Sequence, residues 1–251
     1  MGRVIALLYG VTCYAMFVAT FLYSVGFVGD YPVDGLISIT IDSGTPGPLV
    51  PSILINLLLL GVFGIQHTVM ARPGFKSVWT KVVPKSVERS TYVLLSNLAL
   101  IFLFWQWQPM PEMVWEVPGV IAYDILAGLF FAGWVFVLIS SFMINHFELF
   151  GLSQVFHNMI GKEPPSAAFK ISGFYKFVRH PIMLGFVIAF WATPAMSQGH
   201  LLFAVVTTIY ILVALWFEER DLIDSFGAQY AEYRRRVRMI IPVPKRKSPT
   251  D

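Results

Sequence analysis

Long apolar stretches separated by short polar intervals run the length of the chain, and they set the first expectations. Runs near Val4–Val28, Leu49–Met70, Thr91–Trp107 and Gly119–Ile144 approach or exceed the roughly 20 apolar residues that carry a helix across a bilayer. Two shorter runs, near Pro181–Ser197 and Leu201–Phe217, are joined only by Gln198-Gly199-His200. They predict a tight hairpin that either spans fully or dips in and returns. Beyond Phe217, the residues Leu222, Phe226, Tyr230, Tyr233, Val237 and Ile241 recur at three-to-four-residue spacing, which predicts one further helix with a single apolar stripe, stopped by Pro242 and Pro244. Such a helix lies on anionic lipid or folds back as a lid. The expected fold is all-α: a polytopic integral membrane protein of about six transmembrane helices with a cytoplasmic C-terminal helix.

Composition agrees with this pattern. Hydrophobic residues make up 56% of the 251 residues and charged residues only 13%, with a mean hydropathy of +0.67. A soluble domain of this length needs far more polar surface. The apolar run after Met1-Gly2-Arg3 is too long for the core of a signal peptide, so the first span is expected to be retained.

Charge sets the expected orientation. With six crossings, all 18 Lys and Arg residues fall on one side: Arg3, then Arg72 to Arg89, then Lys162 to Arg179, then Arg220 to Lys247. The opposite loops hold Asp30, Asp34, Asp42, Glu112 and Glu116 and no basic residue. By the positive-inside rule both termini are cytoplasmic, and a prokaryotic plasma membrane is the expected location. The net charge of +3 follows from that face and suits anionic lipid headgroups, not nucleic acid. The lone cysteine, Cys13, lies within the first span and is expected to be inert packing.

Polar groups are distributed unevenly. Residues 1–118 form spans whose exceptions, Asn56, Gln66, His67 and Asn97, are expected to bond across helices, so this part reads as scaffold. Residues 119–251 hold the polar groups of interest, within what is otherwise a single membrane domain. Glu163-Pro164-Pro165 breaks any helix there. Gly173-Phe174-Tyr175-Lys176-Phe177-Val178-Arg179-His180-Pro181 abuts an apolar run, and Glu218-Glu219-Arg220-Asp221 closes the next one. Charged groups against a membrane segment are costly and mark functional sites. Pro181 suits a first helical position, which puts His180 beside free N–H groups that favour an anion. Structural anchoring at the headgroup layer and simple ion pairing are the alternatives. His146 and Glu148 sit two apart and do not share a helical face. No Rossmann fingerprint, Walker A sequence or zinc-spaced cluster occurs, and no metal is expected.

Gly173-Phe174-Tyr175, Arg179-His180-Pro181, Gly185, Glu218-Glu219, Phe226-Gly227, Tyr230 and Tyr233 together resemble the C-terminal signature of the isoprenylcysteine carboxyl methyltransferase superfamily, integral membrane enzymes that use S-adenosylmethionine. His146-Phe147-Glu148-Leu149-Phe150-Gly151-Leu152, the Arg179–Phe186 run, Phe190-Trp191-Ala192-Thr193-Pro194 and Gly199-His200-Leu201-Leu202 resemble, more specifically, the membrane-bound methanethiol S-methyltransferases, which make dimethyl sulfide. Met183 stands where many superfamily members carry an aromatic residue, which speaks against a prenyl-cysteine acceptor. The resemblance implies that Tyr175, Arg179, His180, Pro181 and Gly185, with Glu218, Tyr230, Tyr233 and Arg234, hold S-adenosyl-L-methionine.

The implied reaction is in-line methyl transfer to a small apolar thiol that partitions from the bilayer. Thiols near pKa 8.5 are weak nucleophiles at neutral pH; the positive sulfonium nearby favours thiolate, and a base could accept the proton. His146, oriented by Glu148, is the expected base, with Glu219 as rival. A membrane NADPH-dependent reductase, carboxyl methylation of a prenylated or lipid substrate, and a non-enzymatic membrane protein are the competing readings.

Overall fold

The structure, a computed structural model, describes residues 2–164 and 169–243. Helix α1 (Arg3–Gly29) ends where Asp30 adopts a left-handed conformation and returns its N–H to the carbonyls of Gly26 and Phe27. Helix α2 (Leu49–Ala71) stops at Arg72, because Pro73 opens α3 (Pro73–Trp79). Helix α4 (Lys85–Gln106) starts ahead of the expected Thr91; Pro84 precedes it, and the helix carries Lys85, Glu88 and Arg89 beyond the apolar run. A short strand, β1 (Met113–Glu116), leads to α5 (Val120–Ile144), then α6 (His146–Leu149) and α7 (Leu152–Met159). One turn of 3-10 helix (Gly173–Lys176) precedes α8 (Pro181–Trp191), β2 (Ala195–Ser197), α9 (Gln198–Phe226) and α10 (Ala228–Arg236). The break expected at Glu163-Pro164-Pro165 falls after the end of α7; Pro165, like Pro244, lies outside the described residues.

Five of these helices, α1, α2, α4, α5 and α9, are long and apolar enough to cross a membrane. Their outward faces expose large apolar side chains such as Leu8 at 61% and Leu58 at 67%, the surface a bilayer covers. The chain is a polytopic membrane protein. The sixth expected span differs from the others. Helix α8 has 11 residues, about 16 Å of rise, half of a hydrocarbon core of roughly 30 Å. Extended chain completes the reach: β2 pairs antiparallel with β1, Glu116 opposite Ala195 and Met113 opposite Ser197. Val117 N donates to Pro194 O and Gly199 N to Met110 O. The hairpin therefore arrives at the connection between α4 and α5, the opposite end of the bundle from the start of α8. Among the described residues this two-stranded sheet and two isolated β-bridges, Val33 with Ile37 and Val178 with Arg238, depart from an all-helical fold.

Helix α8 packs most extensively on α5, and two glycines allow it. A Cβ on Gly185 would lie 2.8 Å from the Gly133 carbonyl, and a Cβ on Gly133 would lie 2.7 Å from the Ala189 nitrogen. Backbones approach this closely only at small residues. Around this seam, Phe27, Phe104, Trp134, Phe190 and Phe203 form an aromatic core, with ring centroids 4.6 Å apart for Phe27–Phe104 and 5.1 Å for Phe190–Phe203.

The tail also departs from expectation. Leu222 and Phe226 end α9, and Gly227 at φ +54° turns the chain into α10. The expected single stripe is thus split between two helices, because a left-handed residue interrupts the hydrogen-bond ladder. After Arg236 the chain is extended, and Arg238 bridges in parallel to Val178. With Tyr230 and Tyr233 buried, α10 is folded back on the protein.

At the other end, Asp42 accepts a 2.7 Å hydrogen bond from Ser197. Burial raises its pKa from 3.8 to about 6 against that hydrogen bond, with help from the Asp30 charge. A carboxyl raised in the folded state stabilises the fold below the unfolded value and loses that contribution as pH climbs through about 6. Asp42→Asn keeps the acceptor without the charge. It is expected to raise the thermal midpoint at pH 8, with the gain shrinking toward pH 4; a midpoint lowered equally at both pH values would contradict this. Gly133→Ala and Gly185→Ala are each expected to cost about 1–3 kcal/mol by overpacking the α5–α8 seam, measured as thermal stability in detergent.

Candidate active site

Glu219 organises the polar cluster. It sits on the last third of α9 with 6% of its surface exposed. Arg179 Nε donates to its Oε1 at 2.6 Å and Nη2 stands 2.5 Å from the same oxygen. His180 Nε2 lies 3.3 Å from Oε1, Tyr230 donates from its hydroxyl at 3.4 Å, and Arg234 Nε is 3.3 Å from Oε2. Charged hydrogen bonds of this kind compensate the desolvation of a buried carboxylate.

The backbone explains why these groups meet. Pro181 occupies the first position of α8, so the chain before it is extended and lies beside the tail. Arg179 N donates to Arg238 O at 2.8 Å and His180 N to Met239 O at 3.1 Å. Arg179 Nη1 donates to the carbonyls of Arg234 and Val237. The guanidinium thereby joins α9, α10 and the extended tail. Tyr233 donates to the Tyr175 carbonyl at 2.6 Å, and the Tyr175 hydroxyl donates to Ser140 O on α5 at 3.4 Å. Burial above all, opposed by Arg179 and reinforced by Glu219, pushes the Tyr233 hydroxyl up to about 12. Burial likewise raises Tyr175 and Tyr230. All three remain protonated donors near neutrality.

Of the expected cofactor-holding residues, Tyr175, Arg179, His180, Pro181, Glu218, Tyr230, Tyr233 and Arg234 come together here. Glu218 differs from its neighbour: its side chain is 45% exposed and its Oε2 stands 3.9 Å from His180 Nδ1. Gly185 does not open toward the cluster. The α5 backbone fills its space, so its role is packing.

The expected base pair divides. His146 is 3% exposed; Tyr14 bonds its Nε2 at 2.8 Å and Ser141 its Nδ1 at 2.8 Å. Ser141 spends its proton on Leu138 O, so Nδ1 carries the ring hydrogen and Nε2 receives the Tyr14 hydroxyl. Phe142 stacks on the ring at 4.1 Å, and burial lowers its pKa. Glu148 does not orient it. That carboxylate takes a 2.5 Å hydrogen bond from Asn145 Nδ2, and Asn145 in turn caps α6 by accepting from Glu148 N. Two residues apart on a single helical turn, the two side chains point different ways.

Sequence reasoning missed four parts of this arrangement. Phe169 covers Tyr230 and Tyr233 at 5.9 and 5.5 Å between ring centroids. Arg72 pairs with Asp221 at 2.8 Å, tying α2 to α9. Ser140 and Asn145 act on Tyr175 and Glu148. The charge of Arg72 beside Pro73 was the available signal for a helix-end anchor; the others act through contacts that leave no local pattern.

Comparison with known proteins places the chain. It is 52% identical over 246 residues to "Methanethiol S-methyltransferase" of Mycobacterium tuberculosis (strain ATCC 25618 / H37Rv), covering 98% of this chain and 99% of the relative. It is 54% identical over 241 residues to "Methanethiol S-methyltransferase 2" of Bradyrhizobium diazoefficiens, covering 96% and 91%. A weaker similarity, 26% over 182 residues and 69% of each chain, links it to "Nurim" of Mus musculus. No family model and no solved structure matches it. At such identity over nearly its whole length, the chain belongs to the methanethiol S-methyltransferase family.

Proposed function

We propose that this protein transfers a methyl group from S-adenosyl-L-methionine to methanethiol, forming dimethyl sulfide. The observation that carries the reading is the Arg179–His180–Glu219 cluster at the end of a membrane bundle, in a chain half identical to proteins named for that reaction. The donor set suits the amino-acid end of the cofactor. Glu218 is half exposed with acceptor capacity for an ammonium or hydroxyl group, and Arg234 and His180 offer positive or donating groups beside it. Bound S-adenosylmethionine would supply an electrophilic methyl group on a positive sulfur.

The chain's own residues then do three things. Arg179 and Glu219 lock α8, α9 and the tail into one frame, leaving Glu218 to face the ligand. Tyr175, Tyr230 and Tyr233 stay protonated and exclude water. Of the groups expected to take the thiol proton, Glu219 is committed to Arg179 and Glu148 to Asn145; His146 offers a neutral ring already shared with Tyr14. Much of the rate would come from aligning acceptor sulfur with the methyl group inside a low-dielectric bundle. The basic residues among those described lie at the helix ends that carry the cluster, and the positive-inside rule makes that side cytoplasmic in this reading.

Headspace gas chromatography on membranes bearing the protein is expected to show dimethyl sulfide when S-adenosylmethionine and methanethiol are both supplied. No product with S-adenosylhomocysteine still bound would redirect the reading to a larger acceptor, and NADPH binding in its place would favour a reductase. Glu218→Gln is expected to weaken S-adenosylhomocysteine binding about tenfold or more, as loss of a charged hydrogen bond does, while leaving the thermal midpoint nearly unchanged. Unaltered affinity in calorimetry would remove Glu218 from the cofactor site.

A further inference from the structure

A second imidazole, in the part of the chain that reads as scaffold, is wired in the same way as His146. His67 of α2 bonds Ser96 through Nδ1 at 3.1 Å and the Tyr92 hydroxyl through Nε2 at 2.8 Å. Ser96 donates its own proton to Tyr92 O at 2.9 Å, so Nδ1 must carry the ring hydrogen and Nε2 must hold a lone pair facing Tyr92. A histidine inside a membrane bundle is costly and asks for a function. Phe63 stacks on the ring at 5.3 Å between centroids.

Two features distinguish it from His146. First, His67 is only half-buried, whereas His146 is buried at 3% exposure. Second, its neighbours lead to the cofactor cluster. Thr68 donates to the Tyr210 hydroxyl of α9 at 3.3 Å. Arg72, at the end of the same helix, lies over Phe217 at 5.7 Å and pairs with Asp221. Tyr210, Phe217, Glu218 and Asp221 recur at helical spacing on α9, so the face of α9 that meets α2 also presents Glu218. Next in sequence to His67 and Ser96, Gln66 Oε1 and Asn97 Nδ2 are buried without hydrogen-bond partners, unusual for protein interiors. The charged or titratable groups around the pair are Arg89 and Tyr92 of α4, Arg72 of α2, and Tyr210 and Glu218 of α9.

We propose that Tyr92 and His67 form the catalytic proton acceptor for the thiol, with the acceptor sulfur bound against this pair where α2, α4 and α9 meet. The inference rests on the thiol-methylation reading. As the S–H bond breaks, its proton passes to the Tyr92 oxygen while the Tyr92 proton passes to His67 Nε2. The electron pair left on sulfur forms the new S–CH3 bond, and the pair of the broken sulfonium bond stays on the donor sulfur. The imidazolium, held by Ser96, then releases the proton. A small neutral thiol suits this site because it enters through lipid without carrying charge into the bundle.

The test compares His67→Gln and Tyr92→Phe with wild type and with His146→Gln in detergent. Both His67→Gln and Tyr92→Phe are expected to lower methanethiol turnover at pH 7.5 about a hundredfold, the low end of the usual span for general-base removal. S-adenosylhomocysteine affinity by calorimetry is expected to stay within about threefold of wild type. The residual rate should climb roughly eightfold between pH 7 and 8 and flatten above about pH 8.5, following the thiolate fraction, while the wild-type rate climbs far less. Tyr92→Phe retains the ring, so it reports even where His67→Gln fails to fold. Unchanged turnover in Tyr92→Phe, a uniform loss with the wild-type pH slope, or a changed slope in His146→Gln alone would overturn the proposal. Failure of the underlying reading is separate: wild type itself would make no dimethyl sulfide.

Discussion

The ion pair between Arg179 and Glu219 is the constraint on which the rest of the cytoplasmic-end structure depends in this account. Both side chains are nearly enclosed, at 6% and 8% exposure. An enclosed charge is tolerable only when its partners are fixed, and losing one partner of such a pair costs about 3–5 kcal/mol. Here the partners come from separate parts of the chain. Arg179 precedes α8, Glu219 belongs to α9, and the carbonyls of Arg234 and Val237 lie on the returning tail. One guanidinium thereby ties together the polar edges of three segments whose apolar residues already share one core. The same pairing occupies Glu219 and leaves Glu218, one residue earlier, half exposed with its carboxylate 3.9 Å from His180.

The membrane bundle serves this arrangement from below. Gly133 and Gly185 let α5 and α8 approach until backbone meets backbone, which brings Ser140 within reach of Tyr175 and holds the 3-10 turn against α5. Because α8 is short, its start and the extended segment after it serve different ends of the protein. The strand pairing with β1 secures the far end and leaves the near end free to be set by Arg179. A longer helix would have placed rigid backbone where the extended segment now turns into β2.

Much of this was legible in sequence, and the limits are instructive. Apolar run length revealed α1, α2, α4, α5 and α9 because lipid demands it of each segment independently. The chemistry-bearing stretches around Arg179 and Glu219 were visible as charges set against apolar runs. The pairing of Glu148 with Asn145, in place of His146, was not, since it turns on a single helical turn whose direction only the folded chain determines. Gly185 was read as part of a cofactor site because a glycine near a motif looks the same whether a ligand or a helix needs the space. The division of the tail at Gly227 escaped the periodicity argument for a similar reason: the apolar spacing continues through the break. His67 was grouped with bland polar residues of the scaffold, as cross-helix bonding alone would have it. It does bond across helices, yet its accessible surface belongs to the three-dimensional arrangement and not to the pattern.

The central claim is that Glu219 builds the cofactor site by holding α8 and the tail together, and is not merely one ligand among several. Calorimetric titration of S-adenosylhomocysteine into Glu219→Gln, with hydrogen exchange of residues 228–240 followed in the same sample, tests it most directly. The account predicts binding weakened at least about tenfold, together with faster exchange throughout the tail. Wild-type affinity with a wild-type exchange pattern would contradict it.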